Sequence, residues 1–162
     1  MINNFQHVLG KVNLTTTHFK KLGIAFAFLI SCDAALAADA TGTLSIQAGG
    51  FLNEHGHAIA SLFREGDEVL NLKNAYQREQ VLIHDGKASF DFSNLVYGTY
   101  AVSVYHDEND NGVLDHNFFK FPAEPLGFSN HFKLGLTSGM PTFEKMKFQF
   151  SADTGVVEIE VK

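Results

Sequence analysis

Residues 81–92 read VLIHDGKASFDF, and this stretch does most to decide the fold. Val81 and Ile83 lie two residues apart before Asp85-Gly86, and the alternation resumes at Ala88, Phe90 and Phe92. Apolar residues at every second position are typical of half-buried strands. Asp-Gly between two such runs favours a type I′ turn, because both central residues tolerate a positive φ. The stretch therefore predicts a β-hairpin.

The same alternation recurs on both sides of the hairpin, in residues 43–49, 58–63, 101–106, 146–150 and 157–161. Residues 64–75 are polar and irregular, which predicts a loop with at most one helical turn. The chain thus holds about seven strands and almost no helical period. Because such strands must cover two sheet faces, the sequence predicts an all-β, Ig-like Greek-key sandwich, with a closed barrel as the alternative.

Tyr100 stands where the chain is expected to pass from one sheet to the other. Residues 95–100 lead directly into the strand at 101–106. A tyrosine at such a crossing can hydrogen-bond its hydroxyl to nearby backbone, the arrangement known as a tyrosine corner. We therefore expect Gly98 and Tyr100 to be structural.

The N-terminal segment has the pattern of an export signal. Two lysines precede an uncharged apolar run of nine residues at 22–30. Such a run suits a signal peptide and is too short to cross a bilayer, which needs roughly 20 apolar residues. An Ala-x-Ala site at 35–37 places cleavage before Ala38. This predicts a signal peptide at 1–37 and a domain at 38–162 that is exported to the periplasm or the extracellular space.

Leu29-Ile30-Ser31-Cys32 supports a second interpretation, because it resembles a bacterial lipobox. Cys32 would then be lipidated and would anchor the protein to a membrane. A cytosolic protein with an apolar N-terminal helix is the remaining alternative. Cys32 is the only cysteine. Cleavage after Ala37 would therefore leave a domain without a disulfide or a thiolate metal site.

The predicted domain is acidic. The full chain has a formal net charge of −6; removing residues 1–37 takes away three Lys and one Asp and leaves −8. Such a surface repels phosphate backbones, so we expect no nucleic-acid partner. It attracts cations instead.

Residues 107–115 read DENDNGVLD and place oxygen-bearing side chains at alternate positions. Gly112 permits a sharp turn, and hard oxygen ligands at this spacing suit Ca²⁺, which takes six to eight oxygens. The sequence therefore predicts a calcium site. Its candidate ligands are the backbone carbonyl of Val113 and five side chains. The side chains are those of Asp107, Asn109, Asp110, Asn111 and Asp115.

An ordinary turn explains the same residues without an ion. Phe118 stands where an EF-hand has its bidentate Glu, and no helical sequence flanks the loop, so the site is not an EF-hand. Asp, Asn and Gly are also common turn residues. Four acidic residues within nine positions nevertheless repel one another unless something neutralises them.

The sequence indicates a zinc or copper site, or a catalytic site, only weakly. His106, His116 and His131 could bind zinc or copper with the acidic residues, but no HExxH spacing is present, and exposed loop histidines explain them better. No serine lies in a Gly-x-Ser-x-Gly setting, and there is no Gly-rich phosphate loop. We therefore predict no catalytic residues and keep a hydrolase built on His106, Asp107 or Asp110 as an alternative.

Residues 107–142 form a segment that is too long for a simple connecting loop in a compact domain. Loops of this length often carry function. Pro122, Pro125 and Gly127 predict irregular structure there. The aromatic residues either anchor the loop on the sandwich, which we favour, or form a platform for a ligand. They are Phe118, Phe119, Phe121, Phe128 and Phe132.

Two blocks of sequence resemble a known bacterial family. The first is Leu95-x-x-Gly98-x-Tyr100-x-Val102-x-Val104-x-His106-Asp107-Glu108-Asn109-x-Asn111-Gly112-x-Leu114-Asp115, and the second comprises Pro122, Gly127-Phe128-Ser129-Asn130 and Pro141-Thr142-Phe143-Glu144. Together they resemble the exported family called domain of unknown function 2141, over about residues 44–161. The resemblance implies a periplasmic or surface β-sandwich similar to transthyretin-like and carboxypeptidase-regulatory-like domains. It implies no activity. Lys120, Phe121 and Leu126 depart from the family pattern and affect the expected loop shape.

Three functional hypotheses follow. The preferred one is an exported, non-catalytic domain whose loop 107–115 holds a structural Ca²⁺ and pins the Phe-rich segment. The second is an envelope interaction module that binds a glycan, a peptide or a protein through residues 116–142. The third is a hydrolase.

Overall fold

The structure, a computed structural model, describes residues 39–162 except Lys120 and Leu136. The predicted signal peptide and the lipidation site Cys32 lie outside the described residues. Within them the chain forms eight strands, one 3₁₀ turn (Leu72–Asn74) and one short helix, α1 (Phe143–Met146). The strands are β1 (Thr41–Gly49), β2 (His57–Phe63), β3 (Gln77–Val81), β4 (Lys87–Val96), β5 (Gly98–Asp107), β6 (Leu126–Phe128), β7 (Phe148–Phe150) and β8 (Val156–Glu160).

The strands form two packed sheets. The three-stranded sheet has the order β4-β1-β8, with β1 antiparallel to β4 and parallel to β8. The five-stranded sheet has the order β3-β2-β5-β6, and β7 pairs with the first residues of β5. The predicted β-sandwich is therefore confirmed, with eight strands in the described residues rather than about seven.

Asp85-Gly86 forms the predicted tight turn, but its flanks do not form a hairpin ladder. Both residues have positive φ, 50° and 69°, and His84 and Lys87 exchange two backbone hydrogen bonds of 2.9 Å. Beyond them β3 pairs with β2 in one sheet, whereas β4 pairs with β1 in the other. The hairpin prediction was right about the turn and wrong about the pairing. Alternation fixes which face a residue takes, but not which strand lies beside it.

The core lies between the two sheets, where the alternating residues of both meet. Burying each large apolar side chain stabilises the fold by about 1.5–3 kcal/mol. The core residues that are at most 1% exposed include Leu44, Ile46, Ala58, Ala60, Leu62, Phe90, Phe92, Val102 and Val104.

Strand β5 is buried on both faces. Val102 and Val104 face the core, whereas Ala101 lies in a second apolar cluster with Phe63 and Met146. We call the side of the five-stranded sheet that carries this second cluster the outer face. Residues of the segment after β2, such as Val69 and Leu72, and of the segment after β6, such as Phe132 and Leu134, pack on this face. This explains why nearly every residue of β5 is buried.

Tyr100 forms the predicted tyrosine corner. Its hydroxyl donates a 2.8 Å hydrogen bond to the carbonyl of Val96, at the point where β4 of one sheet passes into β5 of the other. Burial raises the pKa of the Tyr100 hydroxyl above its ordinary value.

Strand β6 joins the two sheets along one edge. Leu126 and Lys162 exchange backbone hydrogen bonds of 3.1 and 3.3 Å, which ties β6 to the chain just after β8. At Gly127 a Cβ atom would lie 2.5 Å from the carbonyl oxygen of Glu160, so only glycine fits. The prediction of irregular structure near Gly127 was therefore wrong for residues 126–128.

Met146 ends α1 instead of beginning the strand predicted at 146–150. It is fully buried on the outer face, whereas Phe150 lies in the core between the sheets. The alternation of Met146, Phe148 and Phe150 therefore suggested one strand where the chain has a helical turn followed by β7.

Candidate functional site

The acidic loop begins at Asp107, the last residue of β5. Asp107 pairs with His57 across the sheet and is fully buried. Gly56 passes so close to the carbonyl of Asp107 that a Cβ atom would overlap it, and its φ of +65° favours glycine. The end of β5 is therefore fixed against the start of β2 before the loop leaves the sheet.

The carboxylate of Asp107 holds the turn that follows. Its Oδ1 accepts the backbone N–H of Asn111 at 3.1 Å, and its Oδ2 accepts that of Gly112 at 2.7 Å. Asp110 and Gly112 take positive φ values of 59° and 72°, so the chain reverses within a few residues. Hydrogen bonds to a carboxylate are stronger than those between neutral groups, so Asp107 is a structural centre of the loop.

Two of the predicted ligands, Asn109 and Asn111, contact a third, Asp115. The side-chain oxygens of Asn109 and Asn111 accept the backbone N–H groups two residues ahead, at 3.1 and 2.8 Å. Their amide groups both donate to Oδ2 of Asp115, at 2.7 and 3.1 Å. The side chains of Asn109, Asn111 and Asp115 are thus linked directly, and the carboxylate of Asp107 is joined to them through the backbone N–H of Asn111. We call these four residues the polar centre.

Asp110 lies apart from the polar centre. Its carboxylate contacts Nδ1 of His57, and both side chains are partly exposed. Glu108 also faces away and accepts a 3.1 Å hydrogen bond from the amide of Asn53. Of the four acidic residues in the loop, only Asp107 and Asp115 belong to the polar centre.

Glu124 ties the acidic loop to the Phe-rich segment. One carboxylate oxygen accepts the backbone N–H of Glu108 at 3.3 Å and the other that of Asp115 at 3.0 Å. Its side chain is only 8% exposed. Burial raises the pKa of Glu124 above its ordinary value, with smaller contributions from the charges of Asp107 and Asp115. The sequence did not predict this contact, because no fixed spacing links residue 124 to the loop.

Arg78 on β3 attaches the loop to the sheet from the other side. Its guanidinium donates to the carbonyl of Gly112 at 2.8 Å and to the hydroxyl of Tyr105. Burial raises the pKa of Tyr105, and this effect exceeds the opposing effect of the Arg78 charge. Arg78 was also missed, because it lies on a strand far from the loop in sequence.

The histidines do not assemble a metal site. His106, expected in an exposed loop, is fully buried in β5, and its Nε2 donates to the carbonyl of His55 at 2.7 Å. His116 and His131 are exposed, as expected. In residues 39–162, apart from the two undescribed positions, no group of three or more His, Cys, Asp or Glu side chains is placed to hold a metal ion.

The phenylalanines of the long segment divide into two groups. Phe128 is buried and Phe132 partly buried against the outer face, as the anchor interpretation predicted. Phe118, Phe119 and Phe121 instead project from a tight turn and are 95%, 76% and 51% exposed. The anchor interpretation was therefore wrong for these three.

Three hydrogen bonds close the exposed turn. Oδ1 of Asn117 accepts the backbone N–H groups of Phe119 and Phe121 at 3.0 and 3.1 Å, and the N–H of Asn117 donates to the carbonyl of Phe121 at 2.8 Å. Because these bonds fix the backbone, the aromatic side chains are held outward by the turn itself. We call Asn117, Phe118, Phe119 and Phe121 the aromatic tip.

Residues 46–158 match the family described as uncharacterized protein conserved in bacteria (DUF2141). The chain belongs to this family. The match includes the polar centre, Glu124 and the aromatic tip, so all three lie within the DUF2141 region. No curated protein and no solved structure matches the chain at a level that indicates relationship. In the part of the chain that the structure describes, no helix is long and apolar enough to cross a membrane.

Proposed function

We propose that this DUF2141 protein is an exported, non-catalytic β-sandwich domain that binds a structural Ca²⁺ at the polar centre. The ion would fix the acidic loop and, through Glu124, the start of the Phe-rich segment. The observation that carries the proposal is the hydrogen-bonded network of the loop, in which Asn109 and Asn111 donate to Asp115 and Asp107 accepts the backbone N–H of Asn111. Carboxylate, amide and carbonyl oxygens are the ligands that Ca²⁺ takes in proteins.

The donor set of the loop fits a hard cation. The amide oxygens of Asn109 and Asn111 each accept one backbone N–H and keep a second lone pair. Asp107 and Asp115 supply two negative charges, and the carbonyl of Val113 is the remaining predicted ligand. Asp110 contacts His57, so we no longer include it in the proposed site.

The expected effect of the ion is modest. A site with the affinity of extracellular calcium modules has a dissociation constant of about 10⁻⁴ to 10⁻³ M. At about 1 mM free Ca²⁺ such a site stabilises the fold by about 0.4–1.4 kcal/mol. A stabilisation of this size suits an ion that holds a loop in place, and it does not suit a signalling switch.

Thermal unfolding of the purified protein with Ca²⁺ and with a chelator tests the proposal. We expect Ca²⁺ to raise the melting temperature and Asp115→Asn to abolish the rise. Asp110→Asn is the matched control, because it removes the same charge from the same loop outside the polar centre. A melting temperature that does not respond to Ca²⁺ would show that the loop is an ordinary solvated turn.

The aromatic tip supports a second candidate function, an interaction module for an envelope protein, peptide or glycan. Exposed aromatic side chains that contact each other, as Phe118 and Phe119 do, are typical of interaction sites. The double variant Phe118→Ser/Phe119→Ser should abolish binding to an array of bacterial envelope glycans and peptides without changing the melting temperature. Equal binding by the wild type and the variant would refute this function.

The hydrolase alternative gains little support. Both oxygens of Asp107 accept backbone N–H groups, Asp110 contacts His57, and His106 is buried with Nε2 on a carbonyl. An acid and a base would have to converge in a deep pocket, and the described residues of the loop do not place them so.

Export remains part of the proposal, as does the finer likeness to transthyretin-like and carboxypeptidase-regulatory-like domains. The mass of the protein recovered from the envelope of a bacterial host would distinguish cleavage before Ala38 from lipidation of Cys32. Recovery of the uncleaved chain in the cytosol would refute both.

A further inference from the structure

Asn111-Gly112 is the one Asn-Gly pair in the sequence, and it lies inside the acidic loop. Asparagine is among the chemically least stable residues of proteins. An Asn-Gly pair is an especially reactive setting, because glycine has no side chain to shield its backbone nitrogen from the amide of the asparagine. Asn111 is exposed, and a Cβ atom at Gly112 would meet nothing within 4 Å. Packing therefore does not protect this pair.

The reaction open to this pair is deamidation. The backbone nitrogen of Gly112 loses its proton to solvent and attacks Cγ of Asn111, which closes a succinimide ring. The side-chain nitrogen takes up protons from solvent and leaves as an ammonium ion. Water then opens the ring to aspartate or isoaspartate and restores the backbone N–H. The net change converts an amide and a water into a carboxylate and an ammonium ion, without an oxidant or a reductant.

Three hydrogen bonds oppose this reaction in the folded loop. The N–H of Gly112, which must lose its proton, donates to Oδ2 of Asp107 at 2.7 Å. The amide of Asn111 is held at both ends, since Oδ1 accepts the N–H of Val113 at 2.8 Å and Nδ2 donates to Oδ2 of Asp115 at 3.1 Å. The two carboxylates also disfavour the negative charge that forms on the attacking nitrogen. We call the loop with these three bonds formed the closed loop.

We propose that Asn111 is a latent modification site, which is protected in the closed loop and deamidates when the loop opens. The modified loop does not regain the same bonds. A carboxylate at position 111 has no N–H group to donate, and it would face the carboxylate of Asp115. Deamidation therefore makes the opening of the acidic loop irreversible. The proposal depends only on these hydrogen bonds and stands whether or not the polar centre binds Ca²⁺.

The test compares deamidation of the purified protein in buffer and in urea, at the same mildly alkaline pH and temperature, with the modified peptide quantified by mass spectrometry. The wild type should react at least about tenfold more slowly in buffer than in urea, because opening breaks more than one hydrogen bond. Asp115→Ala removes the acceptor of the Asn111 amide. It should raise the rate in buffer about threefold to tenfold, which corresponds to one hydrogen bond, and leave the rate in urea unchanged.

Glu108→Ala is the matched control. It removes a carboxylate from the same loop, but that carboxylate bonds Asn53 and not Asn111, so the ratio of the rates in buffer and in urea should stay that of the wild type. The proposal is overturned if the wild type reacts equally fast in buffer and in urea, if Asp115→Ala leaves the ratio unchanged, or if Glu108→Ala changes it as much. The first comparison uses no variant, so it decides the matter even if Asp115→Ala does not fold.

Discussion

Gly127→Ala should destabilise the sandwich, because the new methyl group would meet backbone where β6 joins the two sheets. The added Cβ would lie 2.5 Å from the carbonyl oxygen of Glu160 and 2.7 Å from Cγ2 of Ile159. The first contact is about 0.9 Å shorter than the 3.4 Å at which ordinary van der Waals contact begins. Backbone cannot rotate away as a flexible side chain can. The hydrogen bonds between Leu126 and Lys162 must therefore lengthen to relieve the clash.

The expected cost follows from overpacking. An extra methyl group in a tightly packed site costs about 1–3 kcal/mol. For a body of about 120 residues, with an unfolding entropy of about 2.1 cal/mol/K per residue, this loss lowers the melting temperature by about 4–12 °C.

Gly49→Ala provides the matched control. Gly49 also lies on a strand, at the end of β1, but a Cβ there would meet nothing within 4 Å. This variant should change the unfolding free energy by less than about 0.5 kcal/mol. Thermal and urea unfolding of the two variants beside the wild type would measure the difference. If Gly127→Ala unfolds at the same temperature as Gly49→Ala, β6 does not join the sheets as described.

Three further predictions concern the tyrosine corner, the contact of Glu124 with the acidic loop, and the phenylalanines of the long segment. Tyr100→Phe should lower the unfolding free energy by about 0.5–1.5 kcal/mol in urea, because Val96 loses its hydroxyl donor; an unchanged midpoint would contradict the corner. The pKa of Glu124 is raised in the folded state, so its contribution to stability should decrease as pH rises through that pKa. Glu124→Gln should flatten this part of the pH profile, and an identical profile would argue against the assignment. Phe128→Ala should cost about 3–5 kcal/mol, whereas Phe118→Ser and Phe119→Ser should each change stability by less than about 0.5 kcal/mol; equal losses would refute the division into buried anchor and exposed tip.

Strand positions could be predicted from sequence because burial alternates along a strand with period two. Leu44 and Ile46, like Phe90 and Phe92, are buried as their spacing required. The sheet to which each strand belongs could not be predicted in the same way. Val81 and Ala88 stand on either side of one tight turn, yet they belong to strands of different sheets. Partner choice depends on contacts distant in sequence, and local alternation carries no information about them.

Strand β6 and helix α1 could not be predicted from the sequence for a different reason. Strand β6 has three residues and a glycine at its centre, so its propensity argues against a strand. Its backbone bonds to β5 and to Lys162 decide its conformation. The opposite error arose at Met146, where correct alternation with Phe148 concealed a helical turn. In both places tertiary contacts outweigh the local pattern.

The structure reduces the number of carboxylates in the acidic loop that could bind calcium. The sequence suggested ion binding because four acidic residues lie within nine positions. In the fold, Asp110 contacts His57 and Glu108 accepts a hydrogen bond from Asn53, so only two of the four carboxylates belong to the polar centre.

An ion at the polar centre would therefore have only the charges of Asp107 and Asp115, assisted by neutral amide and carbonyl oxygens. It would also have to displace the amide N–H groups of Asn109 and Asn111 from Oδ2 of Asp115. Few carboxylates and a competing hydrogen-bond network both weaken binding. Calcium titration should thus give a dissociation constant no tighter than about 10⁻⁴ M. Micromolar affinity would mean that a carboxylate such as Asp110 leaves its present partner and joins the site.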